Sequence, residues 1–246
     1  MDNSKNLVQY SIFSSFKNLF AFTTTRETIR INNVRYSSEP ENKIILAEAL
    51  SIPPERLVFP NQTHTNCVVD LNGISKVSLD NTDALVTNQK GLCICVQTAD
   101  CVPILLFDPG KNVVSAVHAG WRGTVGKIVK KAVNKMVQNY GCHPDNLLAA
   151  IGPSISPEIY EVGNEVVEVA KKTIPNVAKA LIKNNSEKFR FNLWEANRQL
   201  LLASGLSAKH IEMLEECSFL KENKYYSARR EGVNTGRLVS GIMIKT

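Results

Sequence analysis

The 246-residue chain contains no apolar run that approaches the roughly 20 residues needed to cross a bilayer. Its opening residues lack the basic, apolar and small-residue zones of a signal peptide. Its six cysteines fall far below the density of a disulfide scaffold, and we expect them to be thiols or metal ligands. These absences predict a soluble, cytoplasmic protein with no membrane partner.

Aromatic residues are also scarce, at 7% of the chain, and few of them stand between its lysines. The net charge is +6, and most lysines recur at helical spacing among apolar residues, as on the solvated face of a helix. Without aromatics to stack on bases, this pattern predicts no nucleic-acid partner. It leaves a mild attraction for small anions such as phosphate. Nothing in the sequence implies an obligate protein partner.

Repeats, low-complexity tracts and long linkers are missing too, so we predict one domain over residues 1–246. Short runs rich in Val and Ile, bounded by Asp, Asn, Gly or Pro, predict strands. These runs are 20–24, 57–61, 67–71, 84–87, 92–97, 103–107, 113–118, 147–151, 211–214 and 235–245. The middle of the chain is therefore predicted to be a sheet.

Helices are predicted where apolar residues recur every three or four positions. The ranges are 39–50, 124–140, 164–173 and 192–203, and the lysine- and asparagine-rich stretch 179–188 is typical of an exposed turn. Strict alternation of strands and helices is missing in the middle of the chain. The predicted fold class is therefore α+β (mixed α/β).

Three potential metal ligands, His64, Cys101 and His118, each stand at the end of a predicted strand, where the chain turns. Side chains from neighbouring strands can converge on one edge of a sheet. Two imidazoles and one thiolate suit Zn²⁺, and three protein ligands leave the fourth tetrahedral position open for water. Zinc lowers the pKa of such a water to about 7, which provides hydroxide at neutral pH.

Two other interpretations of these residues stay open. A single His or Cys beside a strand is more often packed or hydrogen-bonded than bound to metal. A closed structural zinc is the second alternative, because Cys67 lies three residues after His64, and Cys93 and Cys95 share one face of a strand. Any of these cysteines could supply a fourth ligand.

Carboxylates and arginines near the three ligands are further candidates. Asp100 precedes Cys101, and its carboxylate is a catalytic candidate that could approach the zinc water or orient a ligand imidazole; a turn or capping role is the alternative. Asp83 has the same two interpretations. Arg122 and Arg26 are phosphate candidates, because a guanidinium fork matches phosphate oxygens, and a structural ion pair is the alternative for each.

Six motifs carry a resemblance to a known family. They are Asn-Gln-Thr-His at 61–64, Asp-Ala-Leu-Val-Thr at 83–87, the run 96–109 that contains Thr-Ala-Asp-Cys, His-Ala-Gly-Trp-Arg-Gly-Thr at 118–124, Ile-Gly-Pro-Ser-Ile at 151–155 and Tyr-Glu-Val-Gly at 160–163. From about residue 20 to residue 241 the chain resembles the family long labelled multicopper polyphenol oxidase or laccase. That family is also described as purine nucleoside phosphorylase with adenosine deaminase activity.

The resemblance implies that His64, Cys101 and His118 bind one metal ion within packed β-sheets flanked by helices. It implies phosphorolysis of adenosine, inosine and methylthioadenosine to the free base and ribose 1-phosphate, beside hydrolytic deamination of adenosine. Purine nucleosides and phosphate are the expected substrates. Zinc is the expected cofactor, and the older label keeps copper as an alternative. Asn61, which opens the first motif, joins the arginines as a substrate- or phosphate-binding candidate.

The chain departs from the family at two places. After Arg26 the family usually continues with a glycine pair and a longer loop, where this chain runs on through residues 28–30, and Thr65 replaces a glycine or another small residue. Both changes bear on substrate preference rather than on the metal site. Trp121 is either a base-stacking residue or a core anchor, and the segment 225–230 either contacts substrate or braces the last strand.

Three functions therefore compete: a zinc-dependent purine nucleoside enzyme, a copper-dependent phenol oxidase and a non-enzymatic protein braced by zinc. A blue-copper laccase needs about ten histidine ligands. This chain has four histidines, and His143 and His210 lie outside the motifs. A structural zinc needs a fourth protein ligand, so under that hypothesis Cys67→Ser removes the metal.

Overall fold

The computed structural model describes residues 6–28, 40–71, 78–183 and 188–246, which form fourteen strands and six α-helices. The strands are β1 (Leu7–Val8), β2 (Leu19–Thr24), β3 (Leu57–Val58), β4 (Val68–Asp70), β5 (Ala84–Thr87), β6 (Cys93–Thr98), β7 (Val102–Asp108), β8 (Val113–Ala119), β9 (Leu148–Ile151), β10 (Glu161–Val162), β11 (Leu181–Lys183), β12 (Phe189–Phe191), β13 (Ile211–Met213) and β14 (Leu238–Ile244). The helices are α1 (Pro40–Leu50), α2 (Trp121–Val125), α3 (Ile128–Tyr140), α4 (Asn164–Thr173), α5 (Leu193–Leu202) and α6 (Ala228–Glu231). The predicted mixed α/β class is confirmed.

The apolar middle of the sequence forms a six-stranded sheet in the order β13-β9-β7-β8-β5-β4. Its centre is the antiparallel hairpin of β7 and β8, whose residues are all buried. Such strands are covered on both faces, which explains their continuous apolar runs. Side chains alternate between the faces: Ala84 and Val86 of β5 pack toward α3, and Leu85 packs toward a second sheet.

The second sheet has the order β1-β2-β14-β6-β3 and packs face to face on the first. Ile94 of β6 and Ile242 of β14 point into the layer between the two sheets. The outer face of this second sheet is covered by α1, whose Leu46 contacts the cluster around Phe22. The packed β-sheets flanked by helices are therefore confirmed. A small third sheet has the order β10-β12-β11.

The helix predicted over 124–140 is wrong as a single element. It is divided into α2 and α3 by Lys127, which adopts the left-handed conformation with φ 58°. Arg122 consequently lies inside the short helix α2 rather than before one long helix. The periodic apolar residues of α3 are buried as expected, and Gly141, with φ 66°, ends the helix.

Three other predicted elements differ in their bounds from the structure. The strand predicted at 57–61 is only β3, because Pro60 lacks the N–H that would continue the ladder. The exposed turn predicted at 179–188 is wrong in part, since Leu181–Lys183 forms β11, and residues 184–187 lie outside the described residues. The helix predicted from residue 39 is α1, and residue 39 itself is not described. No described helix is long and apolar enough to span a bilayer.

The left-handed residue between α2 and α3 gives a prediction about stability. Glycine adopts positive φ without the steric cost of a Cβ, so we expect Lys127→Gly to raise the free energy of unfolding by about 1 kcal/mol. For a chain of this length that corresponds to a rise in Tm of about 2–4 °C in calorimetry.

The matched control is Lys130→Gly, the same substitution at an exposed position within α3. There glycine is about 1 kcal/mol less favourable than a good helix former, so the Tm should fall. A fall for both variants contradicts the steric explanation.

Candidate metal centre

The edge of the six-stranded sheet where β8 ends and β5 and β7 begin brings the candidate ligands together. His118 lies on β8 opposite Pro103 of β7. Cys101 precedes Pro103 by two residues and stands just before β7 begins. On the other side β5 begins after Asp83, whose carbonyl oxygen accepts a hydrogen bond from the His118 amide at 2.7 Å. Because β8 runs antiparallel to both neighbours, its last residues meet the first residues of each.

The ligand atoms of His64, Cys101 and His118 all lie within 4.8 Å of one another. In a tetrahedral zinc site, with Zn–N about 2.0–2.1 Å and Zn–S about 2.3 Å, ligand atoms are separated by about 3.3–3.6 Å. Small side-chain adjustments would therefore suffice to bind an ion. His118 is buried and His64 is exposed, so the group is open on the His64 side. The residues fit a metal ion held by three protein ligands.

Asp83 is a fully buried carboxylate that joins two of the ligands. It accepts a hydrogen bond from His118 Nδ1 at 2.6 Å, and from the backbone amides of Thr63, His64 and Thr65 at 3.3, 3.1 and 2.7 Å. The Thr65 hydroxyl donates as well, at 2.7 Å. With Nδ1 occupied, His118 has Nε2 free for a metal, as is usual for ligand histidines.

Burial raises the pKa of Asp83, but the hydrogen bond and charge of His118, together with Thr65, outweigh burial and hold the pKa at about 2. The carboxylate is therefore ionised at neutral pH and accepts hydrogen bonds only. This state requires Nδ1 of His118 to carry its proton.

Cys101 and His118 shift each other's protonation. Burial raises the pKa of the Cys101 thiol, but the facing charges of His118 and His64 bring it down to about 6. Burial lowers the pKa of His118, but the Cys101 thiolate and Asp83 raise it to about 9. At neutral pH the pair is therefore a Cys101 thiolate, the form that binds metal, beside a His118 imidazolium, whose Nε2 proton a bound metal ion would replace.

Gly120 lets the backbone before α2 approach the ligands closely. A Cβ at this position would lie 2.9 Å from Cys101 Sγ and 3.3 Å from His64 Cδ2. His64 itself adopts a left-handed conformation, with φ 62°. The hydrogen bond that its amide donates to Asp83 holds it in this conformation. Backbone on both sides of the metal group is thus constrained.

Asp100 does not hydrogen-bond to either ligand imidazole. Its Oδ1 accepts from the Ser218 hydroxyl at 2.7 Å, and its Oδ2 accepts from the Arg229 amide at 2.7 Å. Its own backbone is left-handed, with φ 90°. Asp100 therefore accepts from a first-turn amide of α6, a contact of the turn or capping kind that was the alternative to catalysis. The contact to a ligand imidazole belongs to Asp83.

A cavity of about 350 Å³ opens beside the metal group. Its polar lining comprises Asn61, Gln62, Gln97, Thr98 and Arg237. Asn61, the candidate for substrate or phosphate binding, lines this cavity together with the three ligands. Its side-chain amide is 3.4 Å from Asp80 Oδ1.

The two predicted phosphate residues lie in different surroundings. Arg26 does not line the cavity: it donates to the Tyr225 carbonyl oxygen at 3.0 Å and forms an ion pair with Glu231. This is the structural ion pair that was the alternative for Arg26. Arg122 is exposed, and its guanidinium carbon stacks 4.4 Å from the centre of the Trp121 ring.

Some residues around the site were not singled out from the sequence. The Gln62 amide exchanges hydrogen bonds with the backbone of Gln97, at 2.9 and 2.8 Å, and so fixes the His64 loop against β6. Its place in the Asn-Gln-Thr-His motif was the available signal. Arg237 lines the cavity through the tertiary course of the segment before β14, for which local spacing gives no signal.

The other candidate cysteines do not join the group. Cys67 is exposed and is not among the ligand atoms gathered near His64. Cys93 and Cys95 are buried beneath α1, with their sulfurs 3.7 Å apart. Among the described residues, the structure therefore gives no support for a closed four-ligand site.

Residues 37–245 match the protein family described as multi-copper polyphenol oxidoreductase laccase. The chain belongs to this laccase family. The resemblance carried by the six motifs is thereby confirmed.

Relatives in the laccase family bear purine nucleoside names. A purine nucleoside phosphorylase from Bacteroides thetaiotaomicron is 37% identical over 98% of this chain and 97% of its own length. Adenosine deaminase RL5, from an unknown prokaryotic organism, is 36% identical over 94% of this chain and 96% of its own length. The crystal structure of YlmD from Geobacillus stearothermophilus has a TM-score of 0.87 at 28% identity, covering 99% of this chain and 97% of that one.

The role of Asp83 can be tested without any assumption about substrate. Asp83→Asn removes the ionised acceptor for His118 Nδ1–H and for the amides of the His64 loop. Loss of such a partner typically weakens metal binding 10- to 100-fold, and we expect a drop of about that size in zinc affinity. Competition with a chelator measures it.

The matched control is Asp80→Asn, an exposed carboxylate in the same loop. It should leave zinc affinity unchanged. Equal affinity in Asp83→Asn and the unaltered protein would show that Asp83 does not position the ligands.

Gly120→Ala should disturb the metal group through space alone, because its backbone φ of −68° suits alanine. The new methyl group would collide with the Cys101 sulfur. We expect zinc content after dialysis to fall well below one ion per chain, with little loss of helix and strand signal in circular dichroism. Gly110→Ala, where the Cβ makes only an ordinary contact, should keep its zinc.

Proposed function

We propose that this chain is a zinc-dependent purine nucleoside enzyme. It cleaves adenosine, inosine and methylthioadenosine with phosphate and also deaminates adenosine. One observation carries the proposal: two imidazoles and one thiolate converge at a polar cavity and leave a coordination position free for catalysis. The names of the relatives from Bacteroides thetaiotaomicron and of RL5 support the substrate class.

His64, Cys101 and His118 are the residues that would hold zinc. When bound, zinc supplies Lewis acidity and an activated water at neutral pH. The chain prepares the donors for it: Cys101 is kept as a thiolate, and Asp83 fixes the tautomer and ring orientation of His118. In this proposal, Asp83 and Asp100 are positioning residues. The first acts through His118, and the second acts through the segment that borders the cavity.

The two reactions differ in nucleophile and in the carbon attacked. In phosphorolysis a phosphate oxygen forms a bond to C1′ while the bond from C1′ to N9 breaks. The electron pair stays on the purine, which takes up a proton and leaves as the free base. In deamination, water adds at C6 and the amino group departs as ammonia. Asn61 is the candidate side chain for holding the nucleoside, because it lies on the cavity wall.

Copper-dependent phenol oxidation fits the donor set poorly. Only two of the four histidines belong to the metal group, and His210 Nδ1 donates to the Asp145 carbonyl oxygen elsewhere on the surface. No second cluster of potential ligands occurs among the described residues. A multicopper oxidase needs several histidine-rich centres. Zinc that only braces the fold is disfavoured because three ligands facing a cavity do not close a site.

The decisive test incubates purified protein with adenosine, with and without phosphate, and separates the products by chromatography. We expect adenine only when phosphate is present and inosine in either case. Cys101→Ala should lose both products together with its metal. Full zinc occupancy with neither product would refute the nucleoside hypothesis, and oxygen uptake with a phenol would revive the copper alternative.

The matched control is Cys67→Ser, which alters an exposed cysteine outside the metal group. It should retain zinc and both products. Loss of zinc in this variant would instead support the closed structural site.

A further inference from the structure

Arg229 and Arg230, adjacent in the segment 225–230, have opposite surroundings. The Arg230 guanidinium donates to the carbonyl oxygens of Ser218, Phe219 and Tyr225 and forms an ion pair with Glu231. Arg230 therefore braces its segment. The Arg229 guanidinium has no hydrogen bond or ion pair within the described parts of the chain, and it is exposed.

The backbone of Arg229 is anchored close to the metal group. Its amide donates to Asp100 Oδ2 at 2.7 Å, and Asp100 is bonded directly to Cys101 along the chain. Its guanidinium carbon lies 5.4 Å from the centre of the Tyr160 ring. Ala228, the preceding residue, lines the metal cavity. Arg229 thus presents a guanidinium that forms no ion pair with the described residues at the border of the site.

Arg122 offers a second free guanidinium from another element. Arg122 lies two residues after Gly120, and the Gly120 backbone packs against the Cys101 sulfur. The face of its guanidinium rests on Trp121, which leaves the N–H groups at its edge available. No carboxylate pairs with it among the described residues.

Tyr160 lies beside the Arg229 guanidinium and four residues before α4, which packs against α2, the helix that carries Arg122. Burial raises its pKa to about 12, so the phenol keeps its proton and can donate. Its hydroxyl makes no hydrogen bond in the regions that the structure describes. The nearby carboxylate, Asp100, is already occupied by the Ser218 hydroxyl and the Arg229 amide.

We propose that Arg122, Tyr160 and Arg229 form the phosphate subsite of the enzyme, beside Cys101 and next to the amide-lined cavity that takes the nucleoside. The inference rests on the proposed phosphorolysis. Two guanidinium groups and a phenol supply several N–H and O–H donors for the oxygens of a doubly charged anion, and among the described residues neither guanidinium is paired with a carboxylate. Arg26, engaged with Glu231, has no part in this subsite.

Both arginines are tested by Arg229→Gln and Arg122→Gln in the zinc-loaded protein, with zinc content measured for each variant. We expect KM for phosphate in phosphorolysis to rise about tenfold or more in each variant, because a charge-assisted contact is lost. KM for the nucleoside should change far less. Arg56→Gln is the matched control, since Arg56 is an exposed arginine in the turn before β3.

Tyr160→Phe removes only the hydroxyl and should raise KM for phosphate as well, by a smaller factor. An unchanged KM for phosphate in both arginine variants, with phosphorolysis intact, overturns the subsite and leaves the proposed function standing. A rise in KM for nucleoside and phosphate alike also overturns it, because the arginines would then not act on phosphate in particular.

Binding of inorganic phosphate separates the subsite from the proposed function. If no nucleoside releases base, a phosphate-dependent rise in Tm that both arginine variants lose, and Arg56→Gln keeps, still supports the subsite. An equal rise in every variant, or none in the unaltered protein, overturns it. A larger rise with adenosine monophosphate than with phosphate, lost in the same variants, would assign these donors to a phosphate ester of the substrate and overturn inorganic phosphate as the occupant.

Discussion

The arrangement of the metal group depends on one buried carboxylate. Asp83 receives hydrogen bonds from His118 on β8 and from three consecutive amides of the loop that carries His64. A buried charge is tolerated only when hydrogen bonds replace its hydration, and here the replacing groups are the ligand-bearing elements themselves. The same interaction therefore solvates the carboxylate, fixes the His118 tautomer and holds the loop in place. Removal of any one donor leaves the buried carboxylate of Asp83 with fewer hydrogen bonds to replace its hydration.

The sheets provide the frame in which this carboxylate can be buried. The hairpin of β7 and β8 is covered on one face by α3 and on the other by the second sheet, so its register is set by apolar side chains on both sides. A shift by one residue would reverse the direction of every side chain in β8, including His118. The core thus determines which way the ligand points.

The sequence was informative where local pattern decides structure. Strand β5 and helix α4 have the predicted bounds, since short apolar runs and helical periodicity depend on nearby residues. The positions of His64, Cys101 and His118 at predicted strand ends indicated that they could converge, and the family resemblance implied that they bind one metal ion. Their ligand atoms do lie within 4.8 Å of one another. The break at Lys127 could not be foreseen, because a lysine rarely adopts positive φ and the surrounding tertiary structure imposes it. The separate surroundings of Arg229 and Arg230 were equally hidden, since the partners of Arg230 include carbonyl groups eleven and twelve residues away.

The position of β14 has a consequence for biosynthesis. This last strand of the fold lies between β2 and β6, near the middle of its sheet, and the segment before it carries Arg229 and Arg237 to the border of the metal cavity. While a ribosome still holds these residues in its exit tunnel, β2 and β6 have no partner between them and one wall of the cavity is absent. The nascent chain therefore acquires a complete site only after β14 has left the tunnel, and a product that lacks β14 would expose the edges of β2 and β6 to chaperones or proteases.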